Sequence, residues 1–182
     1  INNNSLIDLT PFSNLDFVGG AVKIVSNNSL ESISGLAGME AINGDLLIRL
    51  NTSLESLNGL GNIESINGSL KIDNNGVLTD ISQLENVVDI NGELVIGNNP
   101  LLNSLDGIDN INYTSITELV IESCNELSSC EVESVCNFLE FEGVATIENN
   151  GNGCNTSSEI LSSCLTDLTK NNKSKDAVLV PN

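Results

Sequence analysis

The hydrophobic positions of this chain recur with a period of 24 residues through its first two thirds. Within each period apolar residues stand at every third position, and an alternating apolar segment follows a glycine. In the third repeat these positions are Leu54, Leu57, Leu60, Ile63, Ile66, Gly68, Leu70 and Ile72. A fixed period of this length predicts a solenoid of about five stacked 24-residue coils.

The segment after each glycine predicts a short strand. At residues 22–24, 46–48, 70–72 and 94–96, inward apolar residues alternate with outward ones. The strict spacing of three elsewhere does not fit an α-helix, which needs spacings of both three and four. We therefore expect a mainly β fold in which the strands of successive coils form one parallel sheet.

An asparagine stands at the same place in every repeat and predicts a structural ladder. Its members are Asn3, Asn27, Asn51, Asn75 and Asn99, with Cys124 in the same place after one inserted residue. A buried amide can bond to backbone groups that a bend leaves unpaired. We expect these residues to support turns, and Cys124 to be a buried, unpaired thiol.

The period ends near residue 128. A short amphipathic helix is expected around 132–139, a strand at 144–147 and a second helix ending near Leu165. We interpret residues 1–127 as the repeat solenoid and 128–165 as a cap of the same domain that covers its open end. Residues 166–182 are interpreted as a polar tail or linker.

The cysteines all lie in the last third of the chain, which indicates disulfides and an oxidising compartment. Besides Cys124, the disulfide candidates are Cys130, Cys136, Cys154 and Cys164. Four cysteines allow three connectivities. We favour Cys130 with Cys136 and Cys154 with Cys164, because each pair closes a short local loop.

Charge and composition exclude several partners. The 182 residues carry 25 acidic and 6 basic side chains, for a net charge of −19, which repels nucleic acid and anionic membranes. No apolar stretch approaches the roughly 20 residues that a membrane span needs, so no membrane insertion is expected. We expect a monomeric single domain with an aliphatic core, because aromatic residues make up only 3% of the chain.

Catalysis is not expected from these residues. Histidine is absent, so neither a Ser-His nor a Cys-His pair can form, and the carboxylates are scattered over the repeats. No cofactor and no metal site is predicted. The turn at 106–110 offers oxygen ligands to calcium, but Asp, Asn and Gly are also ordinary corner residues.

The outward positions of the predicted sheet combine cations, acids and apolar side chains. The candidate ligand-binding residues are Lys23, Leu47, Arg49, Lys71, Asp73, Val95 and Val120. Such a mixture is typical of a binding face. The alternative is that the charges only pair across strands, Lys23 with Asp45, Arg49 with Asp73 and Lys71 with Glu93, without any ligand.

The segments N-N-S-L-E-S-I-S-G-L (27–36), N-T-S-L-E-S-L-N-G-L (51–60) and S-I-N-G-S-L-K-I (65–72) resemble the receptor L-domain family of Bacteroidetes surface proteins. The cysteine-containing segments 128–139 and 151–164 strengthen the resemblance. It implies a right-handed, leucine-rich-repeat-like solenoid that is secreted or exposed on the outer surface of a bacterium. The last residues, 179–182, resemble the start of a C-terminal sorting module, which would make 166–176 a linker.

These observations favour a non-enzymatic recognition or adhesion domain that binds a protein or glycan through the sheet face. One alternative is a structural spacer with no ligand of its own. A more distant alternative is a glycan-processing enzyme built on a β-solenoid.

Overall fold

The computed structural model describes residues 2–165 of the chain. The strands are β1 (Val22–Val25), β2 (Ala41–Ile42), β3 (Leu46–Arg49), β4 (Ser65–Ile66), β5 (Leu70–Asp73), β6 (Asp89–Ile90), β7 (Gly92–Gly97), β8 (Ile116–Glu122) and β9 (Ala145–Glu148). Helix α1 (Glu133–Glu140) lies between β8 and β9, and residues 157–165 are helical. Short 3-10 turns occur at Thr10–Phe12, Ser34–Leu36, Ser82–Leu84 and Tyr113–Ser115.

Two parallel sheets run side by side through the repeats. The larger has six strands in the order β1-β3-β5-β7-β8-β9, and the smaller has three in the order β2-β4-β6. Leu46 pairs with Leu70 and Leu70 with Leu94, so residues 24 apart lie on neighbouring strands. The offset becomes 25 between β7 and β8, where the register shifts between Gly92 and Glu93. The inserted residue is thus absorbed without breaking the sheet.

The fold class expected from the sequence, a mainly β, leucine-rich-repeat or L-domain-like solenoid, is wrong. The molecule is a mixed α/β fold with two parallel sheets, of six and three strands, and two helical segments. The long strands lie where the alternation predicts them. The residues spaced by three do not form the bends that were expected, because that spacing also matches the three residues per turn of a 3-10 helix. Three repeats form such turns there, and the smaller sheet follows in strands of only two residues.

The core is a continuous column of aliphatic side chains between the two sheets. Inward residues such as Leu70 and Ile72 of β5 and Ile66 of β4 are fully buried. The recurring glycines let neighbouring repeats approach closely, since a Cβ on Gly68 would lie 2.7 Å from the backbone nitrogen of Asp45. Close backbone approach therefore explains the glycine at this place.

The C-terminal segment extends the sheet as well as covering its end. Strand β9 pairs with β8, so the six-stranded sheet crosses the expected boundary at residue 127. Val135 and Phe138 of α1 and Ile160 of the 157–165 helix are buried against the last repeats. The helices close the apolar end of the core.

The cap contains two disulfides, but the pairing favoured from the sequence is wrong. Cys130 is bonded to Cys154 and Cys136 to Cys164, with Cα–Cα distances of 6.0 Å in both. The second bond joins α1 to the 157–165 helix, and the first joins the segment before α1 to the turn after β9. The cysteines therefore tie separate elements together instead of closing local loops. Two disulfides indicate folding in an oxidising, non-cytoplasmic compartment.

Within residues 2–165, no helix combines the length and apolar character needed to cross a membrane. The predicted linker at 166–176 and the sorting-module resemblance at 179–182 lie outside the described residues.

Candidate binding face

The outward residues of the six-stranded sheet form one surface, which we call the sheet face. Its central row runs across the strands through Lys23, Leu47, Lys71, Val95, Val120 and Thr146. A second row lies two residues further along each strand. It runs through Val25, Arg49, Asp73, Gly97, Glu122 and Glu148. Neighbouring strands of a sheet lie about 4.8 Å apart, so residues in a row are direct neighbours. All seven candidate ligand-binding residues therefore lie on this face.

The sheet face carries two ion pairs. Arg49 Nε lies 3.0 Å from Asp73 Oδ2, and Lys71 Nζ lies 2.6 Å from Glu93 Oε2. Both cations keep contact with solvent, since the side chains of Arg49 and Lys71 are 49% and 34% exposed. The Arg49–Asp73 and Lys71–Glu93 pairs expected from the sequence thus form. Exposed pairs contribute only about 0–1 kcal/mol each, so the pairing leaves the cations accessible to a partner.

The two ends of the sheet face differ in charge. Lys23, Arg49 and Lys71 stand on β1, β3 and β5, and they are the only cations among residues 2–165. The β8 and β9 end carries Glu118, Glu122 and Glu148. The central row also holds half-buried apolar residues: Leu47 lies between Lys23 and Lys71, and Val95 and Val120 follow on β7 and β8. The face therefore mixes cations, acids and an apolar residue on β1 to β5, and combines apolar residues with negative charge toward β8 and β9.

The second row contains one glycine, Gly97. This glycine is buried although it faces outward, because the Glu122 side chain lies beside it. A Cβ placed on Gly97 would come within 3.4 Å of Glu122 Cγ. This contact could not be predicted from the residue types, since glycine in a strand more often marks a bulge.

The asparagine ladder lies beneath the C-terminal ends of the strands. Asn27, Asn51, Asn75 and Asn99 are fully buried, whereas Asn3 is exposed. Each backbone N–H donates to Oδ1 of the next asparagine, from Asn51 to Asn75 at 3.2 Å and from Asn75 to Asn99 at 3.0 Å. Each Nδ2 also reaches back to a strand carbonyl, as Asn75 does to Ile48 at 3.0 Å. These amides are fully used within the fold and offer nothing to a ligand.

Sequence reasoning missed one ladder residue, Asn150. Its Oδ1 accepts from the backbone N–H of Cys124 at 3.1 Å, and its Nδ2 donates to the Ile121 carbonyl at 2.7 Å. A local spacing indicates this residue, because Asn150 follows the strand residue Ile147 at the same distance at which Asn99 follows Ile96. The offset from Cys124 is 26 residues rather than 24, which hid the relation from a search at fixed period.

Cys124 is a free, buried cysteine within this ladder. Burial raises the pKa of its thiol to about 11, with a smaller opposing effect from the Asn99 backbone N–H and a small raising effect from Glu122. Its Sγ donates to the Glu122 carbonyl at 3.4 Å. A thiol protonated at neutral pH and closed to solvent is a poor nucleophile and a poor metal ligand.

No cluster of three or more Cys, Asp or Glu side chains that could hold a metal ion occurs among residues 2–165. In the turn at 106–110, Asp109 Oδ2 accepts from the Gly107 N–H at 3.3 Å. The Asn110 Nδ2 donates to the Glu85 carbonyl at 2.7 Å. These side chains therefore stabilise corners of the chain, as Asp and Asn commonly do.

In comparisons with known proteins, no family model, no curated protein and no solved structure matches this chain. The resemblance to receptor L domains therefore stays a prediction from the sequence, and the function has to be argued from the sheet face and its surroundings.

Proposed function

We propose that this protein is a non-enzymatic recognition or adhesion domain that binds its partner through the sheet face, outside the cell or on its surface. The observation that supports it most is the placement of the cations. In a chain of net charge −19, all three cations of the described residues lie on one face of one sheet. Chance distribution over the surface would not favour this grouping.

The composition of the face favours a protein over a glycan as its partner. Protein interfaces combine an apolar centre with charged residues around it. Leu47, Val95 and Val120 supply apolar contacts in the central row, and the Arg49–Asp73 and Lys71–Glu93 pairs lie among and beside them. No aromatic residue stands on the six strands, so the face offers no stacking surface to a sugar ring.

Charge reversal on the face tests the proposal. The double variant Arg49→Glu and Lys71→Glu places four acidic side chains where two ion pairs lie now. We expect it to lose capture of outer-surface proteins from the source cells while it unfolds in a single transition. The matched control is Lys170→Glu with Lys173→Glu, which changes the net charge equally but alters residues far along the sequence from the sheet.

The outcomes distinguish the three functions considered. Capture by the wild type and the control, lost in the sheet variant, supports recognition through the face. Equal behaviour of all three proteins would favour the spacer, in which the ion pairs only relieve charge repulsion between strands. Release of soluble sugars from glycan substrates would instead indicate an enzyme and would contradict the proposal.

A further inference from the structure

A second surface of the molecule, away from the sheet face, has the features of a small ligand site. It is a cleft of about 290 Å³ between the loop at 109–113 and the helix α1. We call it the Tyr113 cleft. The loop keeps the 24-residue offset of the earlier repeats, since Ile116 still pairs with Gly92, and the inserted residue follows it in β8. The 3-10 turn Tyr113–Ser115 begins at the end of this loop and contacts α1.

The walls of the cleft are polar. Asp109 and Glu133 contribute carboxylates, and Asn112 and Asn137 contribute amides. Asn112 is held in place, since its Oδ1 accepts from the Thr114 backbone N–H at 3.1 Å and from the Thr114 hydroxyl at 2.8 Å. Such a set of fixed acceptors and donors suits a ligand that carries several hydroxyl groups.

An unpaired polar atom marks the same place. Ser134 lines the cleft from α1 and is 1% exposed. Among residues 2–165, its Oγ is the one buried side-chain oxygen or nitrogen that makes no hydrogen bond. Buried polar atoms are almost always paired, and an unpaired one often belongs to a site whose partner is missing.

Aromatic residues are concentrated beside the cleft. The chain has five aromatic side chains, and three of them belong to the elements around the cleft: Tyr113 of the loop, Phe138 of α1 and Phe141 directly after α1. Tyr113 and Phe141 stack with ring centroids 5.2 Å apart and an angle of 12° between the planes. Phe141 remains 66% exposed although it stacks on Tyr113. A rigid aromatic wall next to hydrogen-bonding groups can hold the apolar face of a sugar ring.

We propose that the Tyr113 cleft binds one neutral sugar unit of a glycan, with the ring against Tyr113 and its hydroxyls on Asp109 and Glu133. The volume lies at the low end of small-molecule sites, which span roughly 300–1,000 Å³, so a single unit fits better than a chain. The two carboxylates and the net charge of −19 disfavour uronic acids, sulfated sugars and phosphates. This site is independent of the sheet face and of the function proposed for it.

Binding to immobilised oligosaccharides tests this site. The panel contains neutral glucans, mannans, galactans and xylans, together with alginate, pectin and sulfated galactans as acidic counterparts. We expect the wild type to bind at least one neutral glycan and none of the acidic ones. Tyr113→Ala should weaken that binding at least tenfold, and Asp109→Asn, which keeps the size of the side chain, should weaken it several-fold.

The controls separate this site from the sheet face and from loss of folding. Phe17→Ala removes an exposed aromatic residue at the other end of the chain and should bind like the wild type. Arg49→Glu with Lys71→Glu should also keep glycan binding. The inference fails if no neutral glycan binds, if acidic glycans are preferred, or if folded Tyr113→Ala and Asp109→Asn bind normally. Loss of binding only in the sheet variant would instead move glycan recognition to the sheet face.

Discussion

Asn150 donates from its side-chain amide to the carbonyl oxygen of Ile121 at 2.7 Å. Asn99 makes the same bond to Ile72 at 2.9 Å, two strands earlier in the sheet. Between them Cys124 occupies the equivalent place, and its thiol turns instead to the Glu122 carbonyl. The ladder therefore continues into the C-terminal segment beyond the point where the sequence repeat ends, and the cap is joined to the repeats by hydrogen bonds as well as by packing.

The ladder predicts a large stability difference between two asparagines. Asn75→Ala removes the acceptor of the Asn51 N–H and the donor to the Ile48 carbonyl, both buried. Each buried group left unpaired costs about 1–3 kcal/mol, so we expect a loss of about 2–6 kcal/mol from the two. Asn62→Ala removes one exposed bond, to the Ala37 carbonyl, and should cost about 1 kcal/mol or less. Urea-induced unfolding measures both, and equal losses would contradict a structural ladder.

The buried thiol predicts a loss of stability at alkaline pH. The folded-state pKa of Cys124 is about 11, above the ordinary value of 9.0. Below pH 9 both states hold the proton, so the contribution is fully present. Between pH 9 and 11 the unfolded thiol ionises first, and the free energy of unfolding falls by up to about 1.4 kcal/mol per pH unit. The stability of the wild type relative to Cys124→Ala should therefore decline from pH 9 to 11, and a constant difference would refute the assignment.

Leu50 predicts a site where substitution improves the fold. The residue before each ladder position adopts a left-handed conformation, with φ of 57° at Leu50 and 58° at Asn74. This conformation costs a leucine roughly 1–2 kcal/mol, whereas asparagine adopts it more readily. Leu101 has similar exposure, 44% against 38%, and is not among the residues with positive φ. Leu50→Asn should therefore be about 1 kcal/mol more stable than Leu101→Asn in thermal unfolding. The reverse order would show that burial of Leu50 outweighs its backbone strain.

The sequence predicted the long strands because their burial alternates. Leu46 and Ile48 are buried and Leu47 is not, which is a local property that the residue types reveal. The same period predicted which residues share a row on the sheet face, and hence the Arg49–Asp73 and Lys71–Glu93 pairs. These relations depend only on strand alternation and a constant offset between strands.

Structural features could not be predicted from the sequence where the offset between strands changes or where contacts are not periodic. The apolar residues spaced by three fit 3-10 turns as well as bends, so the mixed character of the fold was not apparent. The Tyr113 cleft depends on how α1 packs against the 109–113 loop, a contact that no repeat shows in advance. For the disulfides, the spacing of the cysteines in the sequence does indicate one of the two bonds. Cys130 and Cys154 are 24 residues apart, close to the offset of 26 between β8 and β9, and residues at such offsets lie side by side.

The pairing of the cap cysteines gives a last prediction. Digestion of the unreduced protein should yield peptides that link Cys130 to Cys154 and Cys136 to Cys164, and one thiol should react with iodoacetamide only after unfolding. The two bonds close loops of 24 and 28 residues, so chain entropy assigns each about 3.5 kcal/mol. The double variants Cys130→Ala with Cys154→Ala, and Cys136→Ala with Cys164→Ala, should therefore lose similar stability. A peptide linking Cys130 to Cys136 would contradict the pairing, because these two residues would then close a local loop and leave β9 untied to the segment before α1.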